Sequence, residues 1–219
     1  MNIFSGHKEK DELVLVFDLG SSSVGGALFW AQKSGIPKII FSIREPIVLE
    51  EKIDTDRFLF LATQTLKIVV DKIYAAGLGA PQHIFCILSS PWYVSQTRVI
   101  NFKKNTPFIF TAKLADDLIQ KEINLFEEEH SAKNKNVGNK VRTIELKNIK
   151  TILNGYETAK PLNQKAQELE MVIFISMSGE QVLKKIEDTI RKCFHFEKIK
   201  FSSFVLASFT VVRDMYMQQ

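Results

Sequence analysis

The residues best suited to chemistry are Asp18, Gly20, Ser21, Ser22 and Ser23, all within the hexapeptide Asp18-Leu19-Gly20-Ser21-Ser22-Ser23. They follow a Val- and Leu-rich apolar run that begins at Leu13 and has the length of a strand. A buried strand there delivers Asp18 to its carboxyl end. Gly20 permits a sharp turn that a side chain would hinder. The N–H groups that follow, and the hydroxyls of Ser21, Ser22 and Ser23, can then face phosphate oxygens. Asp18 is negatively charged and cannot bind phosphate itself. It can hold Mg²⁺ through the ion's water shell, and the ion in turn bridges phosphate oxygens. The spacing therefore predicts a buried strand over 13–23 that ends in a phosphate-binding turn. The plainer reading is a polar turn, with Asp and Ser there for turn preference. No G-x-x-x-x-G-K-[ST] occurs, which excludes a P-loop, and no G-x-G-x-x-G follows a strand.

The elements that must position this turn read as follows. Residues 24–31 form a second apolar stretch with Gly25 and Gly26 near its start, and 38–47 form a third. Three strands with short turns make a meander. Residues 54–76 carry apolar side chains at helical spacing (Phe58, Leu59, Ala62, Leu66, Val69, Val70, Ile73). Asp54 or Thr55 can cap this helix, and Gly77 and Gly79 can stop it. Residues 82–88 are a short apolar strand, broken by Ser89-Ser90-Pro91. That order suits a mixed sheet covered by helices.

The texture changes near Asn105 and Pro107. A helix is expected over 111–129, capped by Thr111, and a lysine-rich loop over 130–140. Strands are expected over 93–103, 140–150 and 168–178, with Asn154-Gly155-Tyr156 as a turn or bulge. A helix over 179–193, a strand over 198–204 and a helix over 205–216 complete the pattern. The domain reading is a leader over 1–12, one subdomain over 13–104 and 201–219, and an inserted subdomain over 105–200. No fixed-period repeat or low-complexity segment is present.

The 219 residues carry a net charge of +4, with Lys scattered along the chain, so nucleic acid is not an expected partner. Cys86 and Cys193, the two cysteines, lie far apart in apolar runs and read as buried thiols in a reducing cytoplasm. His7, His83, His130 and His195 have no ligand spacing. Ser89, Ser90 and Ser178 lack a nucleophile-elbow context. Glu127, Glu128 and Glu129 read as a solvated edge. Trp92 and Tyr93 suit either a surface anchor or the core. No segment is apolar for the length of a bilayer span, and none near the N-terminus resembles a signal peptide.

Residues 14–29, with Asp18-Leu19-Gly20-Ser21-Ser22-Ser23-Val24 at their centre, resemble the first phosphate motif of the actin, Hsp70 and sugar-kinase superfamily. Residues 82–98, an apolar strand running into Ser89-Ser90-Pro91, are similar to the segment that precedes the inserted subdomain in FtsA-like and PilM-like proteins. The element order of 111–204 resembles that insert. The resemblance implies an α/β (α+β) fold: an actin-like, ribonuclease H-like mixed sheet with helices, plus a small inserted α/β subdomain of the FtsA type. It implies ATP and Mg²⁺ as cofactors, with Asp18 acting on the metal through water and Gly20, Ser21, Ser22 and Ser23 holding phosphates. A second Asp-x-Gly motif and a Gly-rich adenosine motif are not found, so the expectation is an incomplete site, the N-terminal half of an FtsA-like protein, with at most weak ATPase activity. The resemblance further implies a cytoplasmic scaffold at the inner face of the membrane, meeting the membrane only indirectly. Protein partners or self-association would run through the insert. A small-molecule kinase of the same superfamily and a nucleotide-free adaptor are the alternatives.

Overall fold

The structure, a computed structural model, describes residues 12–32, 36–48, 50, 54–133, 140–195 and 198–217. The leader expected over 1–12 lies outside these residues except for Glu12, which opens the first strand. The chain divides into two compact units. One holds the described residues up to Ser89 together with Lys185–Phe201, and the other holds Ser90–Lys184 with Ser202–Gln219.

The first unit is built on β1 (Glu12–Leu19), β2 (Ser23–Ala31), β3 (Lys38–Pro46), helix α1 (Thr55–Ala75) and β4 (His83–Leu88). β1 and β2 are antiparallel, as are β2 and β3, whereas β1 and β4 run parallel. The parallel pair needs a crossover, and α1 supplies it. With β9 (Lys200–Ser203) the sheet order is β3-β2-β1-β4-β9. This is the mixed sheet with a covering helix that the order of elements predicts.

β1 is central in that sheet, which explains its near-continuous apolar run. Leu13, Leu15, Phe17 and Leu19 are all buried. α1 packs on β2 and β3 and buries Leu59, Ala62, Leu66, Val69, Val70 and Ile73. These are six of the seven positions picked out by helical period. Asp54, not Thr55, is its cap: the carboxylate accepts the Arg57 N–H at 2.7 Å. Gly77 follows the helix at φ +64°, the left-handed conformation that glycine tolerates best.

Two adjacent glycines in β2 serve opposite faces of the sheet. A Cβ on Gly26 would lie 2.5 Å from Ile73 Cδ1 and 2.8 Å from Val69 Cγ1. Its absence lets α1 settle directly on the strand. A Cβ on Gly25 would meet the Arg44 guanidinium instead, 2.8 Å from Nη2.

The second unit contains β5 (Val94–Ile109), α2 (Ala112–Lys133), β6 (Val141–Leu153), β7 (Tyr156–Glu157), β8 (Lys165–Gly179) and α4 (Phe204–Met217). Helix α3 (Glu180–Arg191) runs across the division. The sheet order is β5-β8-β6-β7, antiparallel at each pairing. Leu169, Met171, Ile173, Ile175 and Met177 alternate along β8 and join Phe110 and Phe126 in one core, against which Leu114, Leu118, Ile119 and Ile123 of α2 pack.

Three readings need correction here. β5 runs through 105, where the turn residues suggested a boundary. Asn105 and Pro107 sit within a register shift between Lys103 and Phe108, an irregularity that accommodates a residue with no N–H to donate. The division by contacts falls at Ser89, before β5, and α4 groups with the second unit rather than with the first. Finally, α2 continues to Lys133, past the expected end at 129; residues 134–139 of the expected loop lie outside the described residues.

Asn154 and Gly155 take φ of 50° and 83°, and Leu153 pairs with Tyr156. This is the two-residue hairpin that an Asn-Gly pair favours. The Asn154 side chain also accepts the N–H groups of Gln167 and Glu168.

Candidate functional site

β1 carries Asp18 to the carboxyl end of the sheet, as its residues predict, and the chain then turns back at once. The Gly20 N–H donates to the Ser23 carbonyl at 3.0 Å. A Cβ on Gly20 would stand 3.0 Å from that same oxygen, so the turn closes tightly over a residue without a side chain. The Ile47 N–H donates to the Ser22 carbonyl and the Ser89 N–H to the Leu19 carbonyl. The ends of β3 and β4 are thereby tied to the turn. Ser21 and Ser22 are exposed, and Ser23 is half-buried at the start of β2.

Sequence reasoning missed Arg44. On β3, its Nη2 donates to Asp18 Oδ2 at 2.6 Å and its Nη1 to Ser23 Oγ at 2.9 Å. Asp18, Gly25 and Arg44 form one row across three strands: Asp18 pairs with Gly25, and Gly25 with Arg44. Arg44 thus joins Asp18 and Ser23, while Ser21 and Ser22 remain at the tip of the turn. Beside the pair is an open depression of about 340 Å³ lined by Val16, Ala27 and Ser42 among others. The signal for Arg44 was present in the glycine pair inside a strand, which marks a close approach of another group.

Chemically, the arrangement offers hydroxyls, a tight turn and a guanidinium, which suit phosphate oxygens. It does not fit the expected Mg²⁺ as it stands. The Asp18 carboxylate that would hold the ion's waters is already paired with a cation. Among the described residues, no three His, Cys, Asp or Glu side chains group as a metal set.

The remaining candidates resolve into structural roles. Cys86, beside Phe17 in the register of β1 and β4, is fully buried, and burial, with the Asp18 charge second, pushes its thiol well above the usual value. Cys193 is only half-buried; it donates to Asp71 at 3.5 Å. Trp92 belongs to the core at 3% exposure, and its carbonyl accepts the Ser178 hydroxyl at 2.6 Å. Glu129 is not merely a solvated edge. Arg98 on β5 grips both its oxygens, at 2.9 and 3.0 Å, and also binds Glu122 at 2.6 Å. Glu129, with Glu122, keeps the Arg98 guanidinium above its usual range against the burial that opposes it. Glu145 binds Ser202 and both the N–H and the hydroxyl of Ser203, and so anchors the start of α4. No described helix is long and apolar enough to cross a membrane.

No protein-family model matches the chain. No curated protein matches it either. Among solved structures, it is similar to the PilM–PilN type IV pilus biogenesis complex at 11% identity and a TM-score of 0.46, covering 87% of this chain and 46% of that one. It is similar to a Bacteroides thetaiotaomicron protein with an actin-like ATPase fold and unknown function at 11% identity and a TM-score of 0.36, covering 88% and 52%. It is also similar to the Aquifex aeolicus PPX-GPPA enzyme at 18% identity and a TM-score of 0.29, covering 37% and 27%. The chain therefore spans between 27% and 52% of the length of these solved chains.

Proposed function

We propose that this chain is part of an actin-like scaffold that binds ATP through the turn of Gly20, Ser21, Ser22 and Ser23. The observation that supports this reading is the tight closure of the turn at the end of β1, with the Arg44 guanidinium on the hydroxyl of Ser23 and the exposed Ser21 and Ser22 beside it. A polar turn kept only for its turn preference has no need of an arginine reaching over a glycine to meet it. Hydrolysis is at most weak in this reading, because the turn contributes electrostatic holding of phosphates and, among the described residues, no carboxylate base stands free beside it.

The scaffold role follows the resemblance to FtsA-like and PilM-like proteins. The second unit would bind protein partners or further copies, at the inner face of the membrane. PilM is itself known in complex with PilN, and an analogous partner is the natural one to seek.

The test is a titration of the chain with a fluorescent ATP analogue, alongside Gly20→Val and the double variant Ser22→Ala, Ser23→Ala. Saturable binding that both variants weaken supports the reading. Absence of binding at high micromolar protein leaves the nucleotide-free adaptor as the better account.

A further inference from the structure

Arg44 is paired with Asp18, the carboxylate that the sequence reading assigned to the metal. Its guanidinium lies against the Asp18 carboxylate at 2.6 Å and reaches Ser23 Oγ at 2.9 Å, where β1 gives way to the turn. The approach is built into the sheet. Gly25 separates the two residues in the cross-strand row, and its Cβ would come within 2.8 Å of Nη2 and 3.0 Å of Cζ. Two of the five N–H donors of the guanidinium go to Asp18 and Ser23. The side chain is 56% exposed, so solvent reaches the guanidinium and donors remain for a ligand.

A divalent ion in such a site does two jobs: it neutralises phosphate charge and it bridges the phosphate to a carboxylate. A guanidinium fixed on that carboxylate does both. It carries a permanent positive charge and its planar fork matches two phosphate oxygens. We infer that Arg44 takes the metal's place at Asp18, and that the chain binds the phosphates of its nucleotide without Mg²⁺. This rests on the nucleotide-binding reading above. Asp18 then acts as a positioning residue for Arg44 and competes with the phosphate for it. The competing account is a surface ion pair of no functional consequence, of the sort commonly found on exposed sheet faces.

The two accounts, and the metal-dependent one, separate in a single experiment. The fluorescent ATP analogue is titrated into wild type, Arg44→Gln, Arg44→Lys and Asp18→Asn, each in EDTA and in Mg²⁺, with circular dichroism and melting to establish that every variant is folded. The inference expects wild-type affinity to be the same in both buffers within about twofold, and Arg44→Gln to be weaker by about tenfold or more. Arg44→Lys keeps the charge but loses the fork and falls between them; it carries the test should Arg44→Gln fold poorly. Asp18→Asn frees the guanidinium, so its affinity is unchanged or improved. Wild-type binding that needs Mg²⁺ and disappears in Asp18→Asn overturns the inference and leaves the nucleotide-binding reading intact. Binding that ignores both Arg44 substitutions also overturns it. No binding by any protein in either buffer overturns the nucleotide-binding reading itself, and the inference with it.

Discussion

Arg44 reaches Asp18 because Gly25, which lies between them in the sheet, has no side chain to stand in the way. Three strands contribute one residue each, and the glycine is as necessary to the pair as the two charges. Gly25→Val should therefore act on the site more than on the fold. Valine suits a strand better than glycine, and the displaced ion pair is exposed, worth about 0–1 kcal/mol. Stability should change little, by thermal melting, while binding of the ATP analogue falls as far as in Arg44→Gln. Unchanged binding would show that the guanidinium finds another route to the turn.

The neighbouring glycine should behave in the opposite way. In Gly26→Ala the new methyl collides with Ile73 Cδ1 and with Val69 Cγ1. Ile73 can turn its tip aside, but Val69 is β-branched and fully buried. Overpacking of this kind costs about 1–3 kcal/mol. Urea denaturation should show that loss; a change below about 0.5 kcal/mol would mean that α1 lifts off β2 at little cost.

Arg98 should hold α2 to the second sheet. It is 13% exposed and engages Glu122, at 17%, and Glu129, at 48%. Arg98→Met should destabilise by about 1–3 kcal/mol, less than for a fully buried pair because water still reaches Glu129. Amide exchange should quicken along α2 before it quickens in β8. Uniform quickening would place the loss in the core, not at the clamp.

Acid should weaken the pairing of Lys67 with Asp71 along α1. The Lys67 ammonium, helped by the Cys193 thiol and opposed by slight burial, holds the Asp71 carboxyl below its usual 3.8. A carboxyl lowered on folding contributes stability that is present above its unfolded value and is lost as pH falls through its folded value. Denaturation midpoints recorded from about pH 5 down to about pH 2 should fall less steeply for Asp71→Asn than for wild type. Parallel curves would sink this assignment.

The two thiols should differ sharply toward iodoacetamide. Cys86 is fully buried, and Cys193 is partly accessible but raised by burial and then by Asp71. Since the thiolate is the reactive form, Cys193 should be labelled slowly and Cys86 only on unfolding, as read by mass spectrometry. Rapid labelling of Cys86 in the native protein would reveal an opening of β4.

Much of the first sheet was legible because its signals are local. The apolar run of β1, the helical period of α1 and the cap at Asp54 each depend on neighbours within a turn or two. The turn at Gly20 was legible for the same reason. Arg44 was not, because its role depends on register: only the pairing of three strands brings residue 44 to residue 18. The early end expected for the strand over 93–103 has a similar origin. Asn105 and Pro107 read as a break, yet a long strand took them up in a register shift, supported by its partner β8. Glu129 looked like one of three solvated acids until a residue 31 positions away closed on it.

Sheet order also has a meaning in time. β9 sits beside β4, but β4 ends at Leu88 and β9 begins at Lys200. During synthesis, β4 must wait with an apolar, unpaired edge while the intervening residues are made, on the order of ten seconds at common elongation rates. The stretch between β4 and β9 is thus also a delay, during which the nascent chain is most open to chaperones and to mispairing with its neighbours on the polysome.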